Sequence, residues 1–312
     1  MHNKIKKIGG HEYSYRVKSV RLPDGKVVSL EKRTGTESPQ EMESFFREKE
    51  IQENYKYVLR HFGKDYIFDE RALQSVEEAK VGYRLILRKL TPTSLKDLWN
   101  RFTANFTYES NALEGNSLTL KDVSLVMFEN VALSHKDLRE IYETKNSREV
   151  VELIQKNKFS LTQPDIIKMH KILVKDLGVQ SGYKKFPNII LGKMIKTVPP
   201  EKVSAEMDKL LQWYEEKKLS IHPLKLAALF HGKFEQIHPF EDGNGRVGRF
   251  LINLILIKSK YPPLIIRRTQ RISYLKALEA FDHNHNETLQ RFILDKFKET
   301  YSKFFQIYIK YV

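Results

Sequence analysis

The chain has 312 residues, of which 41% are hydrophobic, and a net charge of +15. This length fits one large domain, or one domain with an appendage, around a real core. The absence of cysteine excludes disulfides, thiolate catalysis and cysteine-ligated metal sites. No apolar run follows the first residues, and the most apolar stretch, 250–257, is far shorter than the ~20 residues of a bilayer span. We therefore expect a cytoplasmic protein with no membrane partner, whose charge attracts polyanions.

The first 94 residues predict a small β segment followed by a charged helical segment. Residues 11–33 hold β-forming residues on both sides of the turn Pro23-Asp24-Gly25, which indicates an exposed hairpin. From 40 to about 88 the pattern is helical and strongly charged. Ser94 is placed to cap the next helix.

The rest of the chain predicts a mainly α-helical domain. Apolar residues recur at three- to four-residue spacing over 95–114, and Gly115 follows as a terminator. Thr119 and Asp122 fit a capping box. Further helical patterns cover 135–157, 163–177, 200–217, 223–236, 270–281 and 287–310. The β-prone segment 182–200, which includes Ile189, Ile190 and Leu191, interrupts them and predicts a hairpin flap.

The most informative run is HPFEDGNGRVGR, residues 238–249. Gly243-Asn244-Gly245 predicts a turn whose backbone N–H groups form an anion-binding nest before a helix N-terminus. Arg246 and Arg249, expected in the first turn of that helix, oppose its macrodipole and so need an anionic partner. Asp242 suits Mg²⁺ beside phosphates, and His238 suits proton abstraction from a hydroxyl at neutral pH.

The run resembles the Fic-domain signature, His-x-Phe-x-(Asp/Glu)-Gly-Asn-Gly-Arg-x-x-Arg, at every fixed position. The resemblance spreads over about 95–300 and implies a Fic-type helical core with a β-hairpin flap. It also implies transfer of AMP from ATP to a Ser, Thr or Tyr hydroxyl of a target protein, with pyrophosphate released. His238 would be the catalytic base and Asp242 would hold Mg²⁺. The nucleotide would be bound by Gly243, Asn244, Gly245, Arg246, Arg249 and Tyr274, with Tyr274 a candidate for stacking on the base.

A second run, Ser110-Asn-Ala-Leu-Glu114-Gly115-Asn116, resembles the inhibitory motif (Ser/Thr)-x-x-x-Glu-(Gly/Asn) of regulated Fic proteins. Its position before the core is similar to the subclass with an N-terminal inhibitory helix. The resemblance implies that Ser110 and Glu114 are regulatory. Glu114 would pair bidentately with Arg249 and deny this arginine to the γ-phosphate of ATP.

We therefore expect an autoinhibited protein adenylyltransferase, a nucleotidyltransferase that uses ATP and Mg²⁺. Its predicted segments are a β-hairpin at 1–35, a helical extension at 36–94, a Fic domain at 95–300 and a helix end at 301–312. The inhibitory helix spans about 95–115. Two alternatives stay open: a de-AMPylase that uses the same site, and a nucleic-acid-binding or adaptor protein that retains a Fic core. The target protein is unknown, and self-modification and a homodimer stay open.

Overall fold

The structure, a computed structural model, describes residues 1–129, 136–188 and 197–311. The chain forms two compact units, residues 1–85 and 86–312. Helices dominate, as the sequence predicts. None of the helices in the described ranges is long and apolar enough to cross a membrane. The four-segment division drawn from the sequence stays a prediction.

The N-terminal unit begins with an antiparallel sheet of order β1-β2-β3. Its strands are β1 (His2–Ile8), β2 (His11–Arg21) and β3 (Val27–Arg33). The predicted hairpin corresponds to β2 and β3. The sequence analysis did not predict β1, because a lysine-rich strand at a sheet edge lacks the alternation of apolar and polar residues that marks a half-buried strand.

Two helices follow the sheet, α1 (Pro39–Phe62) and α2 (Glu70–Lys89). Ser38 and Glu41 form a capping box at the start of α1. Phe46 of α1 packs against Val20 and Leu30 of the sheet. This small core therefore covers one face of the sheet.

The next helix, α3 (Pro92–Leu113), begins earlier than predicted. Thr91 is its N-cap and accepts from the Ser94 N–H, so the predicted cap at Ser94 is wrong. The physical reason is Pro92, which is favourable at the first helical position and draws the helix start forward. Gly115 follows the C-cap Glu114 with φ +102°, which confirms the predicted terminator.

The remaining helices largely follow the predicted pattern, with differences at their ends. They are α4 (Leu120–Ser124), α5 (Leu138–Gln155), α6 (Gln163–Leu173), α7 (Val203–Lys217), α8 (Pro223–Ile237), α9 (Asn244–Lys258), α10 (Arg271–Asp282) and α11 (Asn286–Thr300). Short 3₁₀ or π segments cover Leu125–Glu129, Pro200–Lys202, Arg268–Gln270, Tyr301–Phe305 and Gln306–Tyr311. The predicted helix 287–310 therefore loses its α-helical geometry after Thr300. The capping box of Thr119 and Asp122 is present at the start of α4.

The helix after the motif, α9, is buried on nearly all sides, as its apolar sequence predicts. Glycines let it and its neighbours approach closely. A Cβ atom at Gly248 of α9 would lie 2.7 Å from the His231 ring of α8. A Cβ at Gly232 of α8 would lie 2.6 Å from the Phe281 ring of α10. This close packing fixes the two helices that flank the motif loop.

Candidate active site

His238 lies at the point where α8 ends and the motif loop begins. It is the C-cap of α8, with φ 49° and ψ 62°, and its N–H donates to the Phe234 carbonyl at 2.9 Å. The left-handed region is uncommon for a residue with a side chain. This conformation turns the chain sharply before Pro239 and leaves 18% of the His238 side chain exposed.

Glu235, one turn before His238 on α8, lies beside the imidazole. Its Oε2 is 3.7 Å from His238 Nδ1. At this distance the carboxylate acts on the ring through its charge rather than through a hydrogen bond. The sequence analysis missed Glu235, although its i, i+3 spacing from His238 on a predicted helix was an available signal.

The side chain of Asn244 holds the motif loop together. It accepts from the Phe240 N–H at 2.9 Å and donates to the Phe240 carbonyl at 2.8 Å. Phe240 is fully buried and stacks on His170, with ring centres 3.8 Å apart. The Asn244 side chain therefore shapes the loop, and its expected contact with the phosphates stays a prediction.

The predicted nest opens α9. Gly243 is the N-cap with φ 82° and ψ 7°, a conformation that glycine adopts without steric cost. Because α9 begins at Asn244, Arg246 lies in its first turn but Arg249 lies in its second, which corrects the predicted placement. The first-turn amides have no partner within a helix and carry its positive end, so this turn suits an anion.

Asp242 is half exposed and already oriented by neighbouring donors. Its Oδ1 accepts from the Gly243 N–H, and its Oδ2 lies 2.8 Å from Arg139 Nη2 of α5. No group of three or more His, Asp or Glu suited to a metal occurs in the described part of the chain. The expected role of Asp242 as a carboxylate ligand of Mg²⁺ stays a prediction.

Arg246 is buried among carboxylates. Its Nη1 lies 3.3 Å from Glu143 Oε1 of α5, and its Nη2 lies 3.6 Å from Asp242 Oδ2. Glu143 also accepts from Asn116 Nδ2 at 2.9 Å. The sequence analysis missed both α5 residues, Arg139 and Glu143, because no local pattern indicates that α5 lies against the motif.

Arg249 is 3% exposed and contacts the end of α3. Its Nε donates to Ser110 Oγ and its Nη2 to the Ser110 carbonyl, both at 2.9 Å. Nη2 also lies 2.7 Å from Glu114 Oε1. The expected ion pair is thus present, but it joins one nitrogen to one oxygen rather than being bidentate.

Tyr274 lies behind Arg249 rather than at an open surface. Its side chain is 3% exposed, hydrogen bonds with Arg249, and places its hydroxyl 2.7 Å from His231 Nε2. Burial raises the pKa of Tyr274, so the hydroxyl is protonated. Burial and the charge of Arg249 lower the pKa of His231 to about 3, so a neutral imidazole accepts this proton. Such burial does not favour the predicted stacking on a nucleobase.

His170 of α6, which the sequence analysis missed, joins the motif loop to the segment that follows α6. Gly182 N–H donates to His170 Nδ1 at 3.3 Å, and His170 Nε2 is 3.0 Å from the Asp242 carbonyl. Since Nδ1 accepts, Nε2 carries the proton and donates. Burial lowers the pKa of His170 to about 4, which keeps this neutral form at ordinary pH.

The start of the predicted flap lies along the motif loop. Tyr183 forms an antiparallel bridge with Phe240, and the Lys184 N–H donates to the Pro239 carbonyl at 2.9 Å. Asn188 Nδ2 donates to the carbonyls of Phe240 and Glu241 at 3.0 and 3.1 Å. The flap residues 189–191 lie outside the described residues.

Comparisons with known proteins agree on one family. The sequence model of the Fic/DOC family matches residues 160–256. The chain is 33% identical over 193 residues to protein adenylyltransferase Fic of Nematostella vectensis, covering 60% of this chain and 45% of that protein. It is 28% identical over 239 residues to protein adenylyltransferase Fic of Drosophila mojavensis, covering 75% of this chain and 47% of that protein. The chain thus spans about half the length of these curated relatives.

The fold is similar to the crystal structure of a Fic-domain-containing signaling protein from Bacteroides thetaiotaomicron. The TM-score is 0.68 at 27% identity, over 74% of this chain and 96% of that chain. Fic-1 of Caenorhabditis elegans has a TM-score of 0.65 at 20% identity, over 85% of each chain. The second likeness concerns the fold alone.

Proposed function

We propose that this protein is an autoinhibited protein adenylyltransferase, because residues 160–256 match the sequence model of the Fic/DOC family. It transfers AMP from ATP to a Ser, Thr or Tyr hydroxyl of a target protein. The main observation in favour of the proposal is the position of His238. It lies at the start of the loop that leads into α9, with Glu235 beside it. A base and an anion-binding helix terminus thus lie within one short loop, and the relatives above are named for this activity.

The chemistry follows from these groups. His238 takes the proton of the target hydroxyl, and the oxygen attacks the α-phosphorus of ATP. A new oxygen–phosphorus bond forms, the bond between the α-phosphorus and the bridging oxygen breaks, and pyrophosphate leaves. The first-turn amides of α9 and Arg249 hold the phosphates. Asp242 would hold Mg²⁺ against the phosphates, where the ion supplies charge neutralisation.

Glu114 competes with ATP in two ways. Its carboxylate neutralises Arg249, and it also occupies space at the start of α9. A Cβ atom built on Gly245 would overlap Glu114 Oε1 and lie 2.9 Å from Arg249 Nη1. The carboxylate therefore lies over the first turn of α9, where we place an outer phosphate oxygen. A hydrogen bond to a charged group contributes about 1.5–3 kcal/mol, so this contact opposes productive binding about 10- to 150-fold.

The decisive experiment uses Mg²⁺ and ATP labelled at either the α- or the γ-phosphate. We expect α-label on protein, more of it for Glu114→Gly, and none for His238→Ala. Glu215→Gly, which removes a carboxylate near the end of α7 that pairs with Lys218, is the matched control and should resemble wild type. Transfer of γ-label alone would contradict the proposal.

The de-AMPylase alternative rests on the exposure of Glu114, whose side chain is 41% exposed and therefore open to a water molecule. To distinguish this alternative from AMP transfer, unlabelled wild-type protein is added to α-labelled Glu114→Gly protein after ATP is removed. Release of labelled AMP, absent when the added protein carries Glu114→Gln, would favour the alternative. Stable label supports transfer as the activity of this site.

A further inference from the structure

The sheet of the N-terminal unit has two unlike faces. Directly paired residues share a face, and successive residues alternate between faces. Val20 and Leu30 lie on the face that packs against Phe46 of α1. Tyr13 and Tyr15 of the central strand lie on the opposite face, where both are partly exposed.

Cations surround these two tyrosines because of the strand register. Tyr15 lies opposite Lys4 of β1 and Arg33 of β3, and Tyr13 lies opposite Lys6 of β1. The Arg33 guanidinium carbon is 4.0 Å from the centre of the Tyr13 ring, and Lys6 Nζ is 4.9 Å from the centre of the Tyr15 ring. We call these five residues the basic aromatic face: Lys4, Lys6, Tyr13, Tyr15 and Arg33.

The positive charge of this unit is concentrated on the sheet. Residues 1–33 hold nine Lys or Arg against three Asp or Glu, whereas residues 34–85 hold eight against eleven. Glu31 pairs with Lys4 at 3.1 Å and also with Lys6. One carboxylate against three cations leaves the face with a net positive charge. If these charges served only solubility, the positive ones would not need to be concentrated on the sheet.

We propose that the basic aromatic face binds single-stranded nucleic acid. Side chains two positions apart on a strand are about 6.6–6.8 Å apart, so Tyr13 and Tyr15 offer two adjacent rings on which bases stack. Lys4, Lys6 and Arg33 lie on the flanking strands, where they meet the phosphates. A duplex fits this face less well, because its bases stay stacked on each other and cannot stack on the tyrosine rings. An acidic protein would contact the cations but would make no use of the two rings.

The test measures fluorescence anisotropy of a labelled 12-nucleotide single strand with the full chain, in excess ATP so that the active site is occupied. Tyr13→Ala with Tyr15→Ala should weaken binding by about 30-fold or more, because neither base then has a ring to stack on. Tyr13→Phe with Tyr15→Phe keeps both rings and should bind within about twofold of wild type. Circular dichroism of each variant verifies the sheet.

The charge contribution has its own matched pair. Lys4→Gln with Lys6→Gln should weaken binding and reduce the slope of log K against log salt by about 0.7 for each phosphate that the protein no longer neutralises. Lys49→Gln with Lys56→Gln removes the same charge from exposed positions on α1 and should leave the slope unchanged.

Four results would overturn the proposal. They are no binding to the single strand, an equal weakening in the α1 control, unchanged affinity after removal of both rings, or equally tight binding of a duplex or a poly-glutamate peptide. Each is independent of AMP transfer, so failure of the proposed function leaves this test intact.

Discussion

The two arginines of the motif show how neighbouring residues on one helix acquire different roles. Arg246 and Arg249 are both buried on α9. Arg246 meets Glu143 of α5 and Asp242 of its own loop, whereas Arg249 meets Ser110 and Glu114 at the end of α3. The carboxylate on the α3 side ends a helix and is 41% exposed, while Glu143 is 11% exposed. One anionic partner can therefore leave without disturbing the other side.

The largest expected effect comes from removing one carboxylate from each arginine. Glu114→Gly should raise the initial rate of AMP transfer on the order of 100-fold, because it frees Arg249 and uncovers the start of α9. Glu143→Gln should lower thermal stability without raising the rate, because it leaves the buried Arg246 with less compensation. Rates are measured with α-labelled ATP and stability by calorimetry. Activation by Glu143→Gln would remove the distinction between the two sides.

The next effect tests whether Arg249 serves ATP once it is free. In the Glu114→Gly background, Arg249→Ala should weaken ATP binding about 30-fold, since it removes a charged donor from an outer phosphate. AMP binding should change little, because AMP lacks that phosphate. Isothermal titration calorimetry with ATP and with AMP measures how much each affinity changes. An equal weakening for AMP would assign Arg249 to structure instead.

Low pH should lower the stability of the fold on the α3 side through His231, which lies behind Arg249. Burial lowers its folded pKa to about 3 from an ordinary value near 6.5, so between these values the unfolded chain binds the extra proton. The contribution of neutral His231 to the free energy of unfolding is fully present above pH 6.5. It decreases as the pH falls below this value, by up to about 1.4 kcal/mol per pH unit. Urea unfolding at several pH values should show a shallower fall for His231→Gln. Parallel curves would refute the neutral buried imidazole.

The smallest effect concerns Tyr274, which hydrogen bonds with Arg249. In the Glu114→Gly background, Tyr274→Phe should raise the KM for ATP about fivefold and leave kcat nearly unchanged, since one hydrogen bond of about 1 kcal/mol no longer holds the guanidinium. Tyr214→Phe, at another buried tyrosine on α7, is the control. A fall in kcat at constant KM would show that Tyr274 acts elsewhere.

The sequence predicts the parts of the site that are local. His238, the turn at Gly243 and the burial of α9 follow from residue types at short spacing, and the motif resemblance placed Glu114 against Arg249. Arg139, Glu143 and His170 were missed because they reach the motif from other helices, and no periodicity encodes which helices pack together. Tyr274 shows a related difficulty: its helical spacing is visible, but its hydrogen bond to Arg249 depends on the packing of α10 against α8.

In the proposed mechanism, the missing side chain of Gly245 serves both the regulatory carboxylate and the nucleotide. A methyl group at this position would overlap the Glu114 carboxylate and crowd Arg249, and the same volume is where we place a phosphate oxygen. On this proposal, substitution of Gly245 would remove inhibition and ATP binding together. If the proposal is right, an active and unregulated form of the protein can arise by mutation at the end of α3 but not at this glycine, because Gly245 serves both functions.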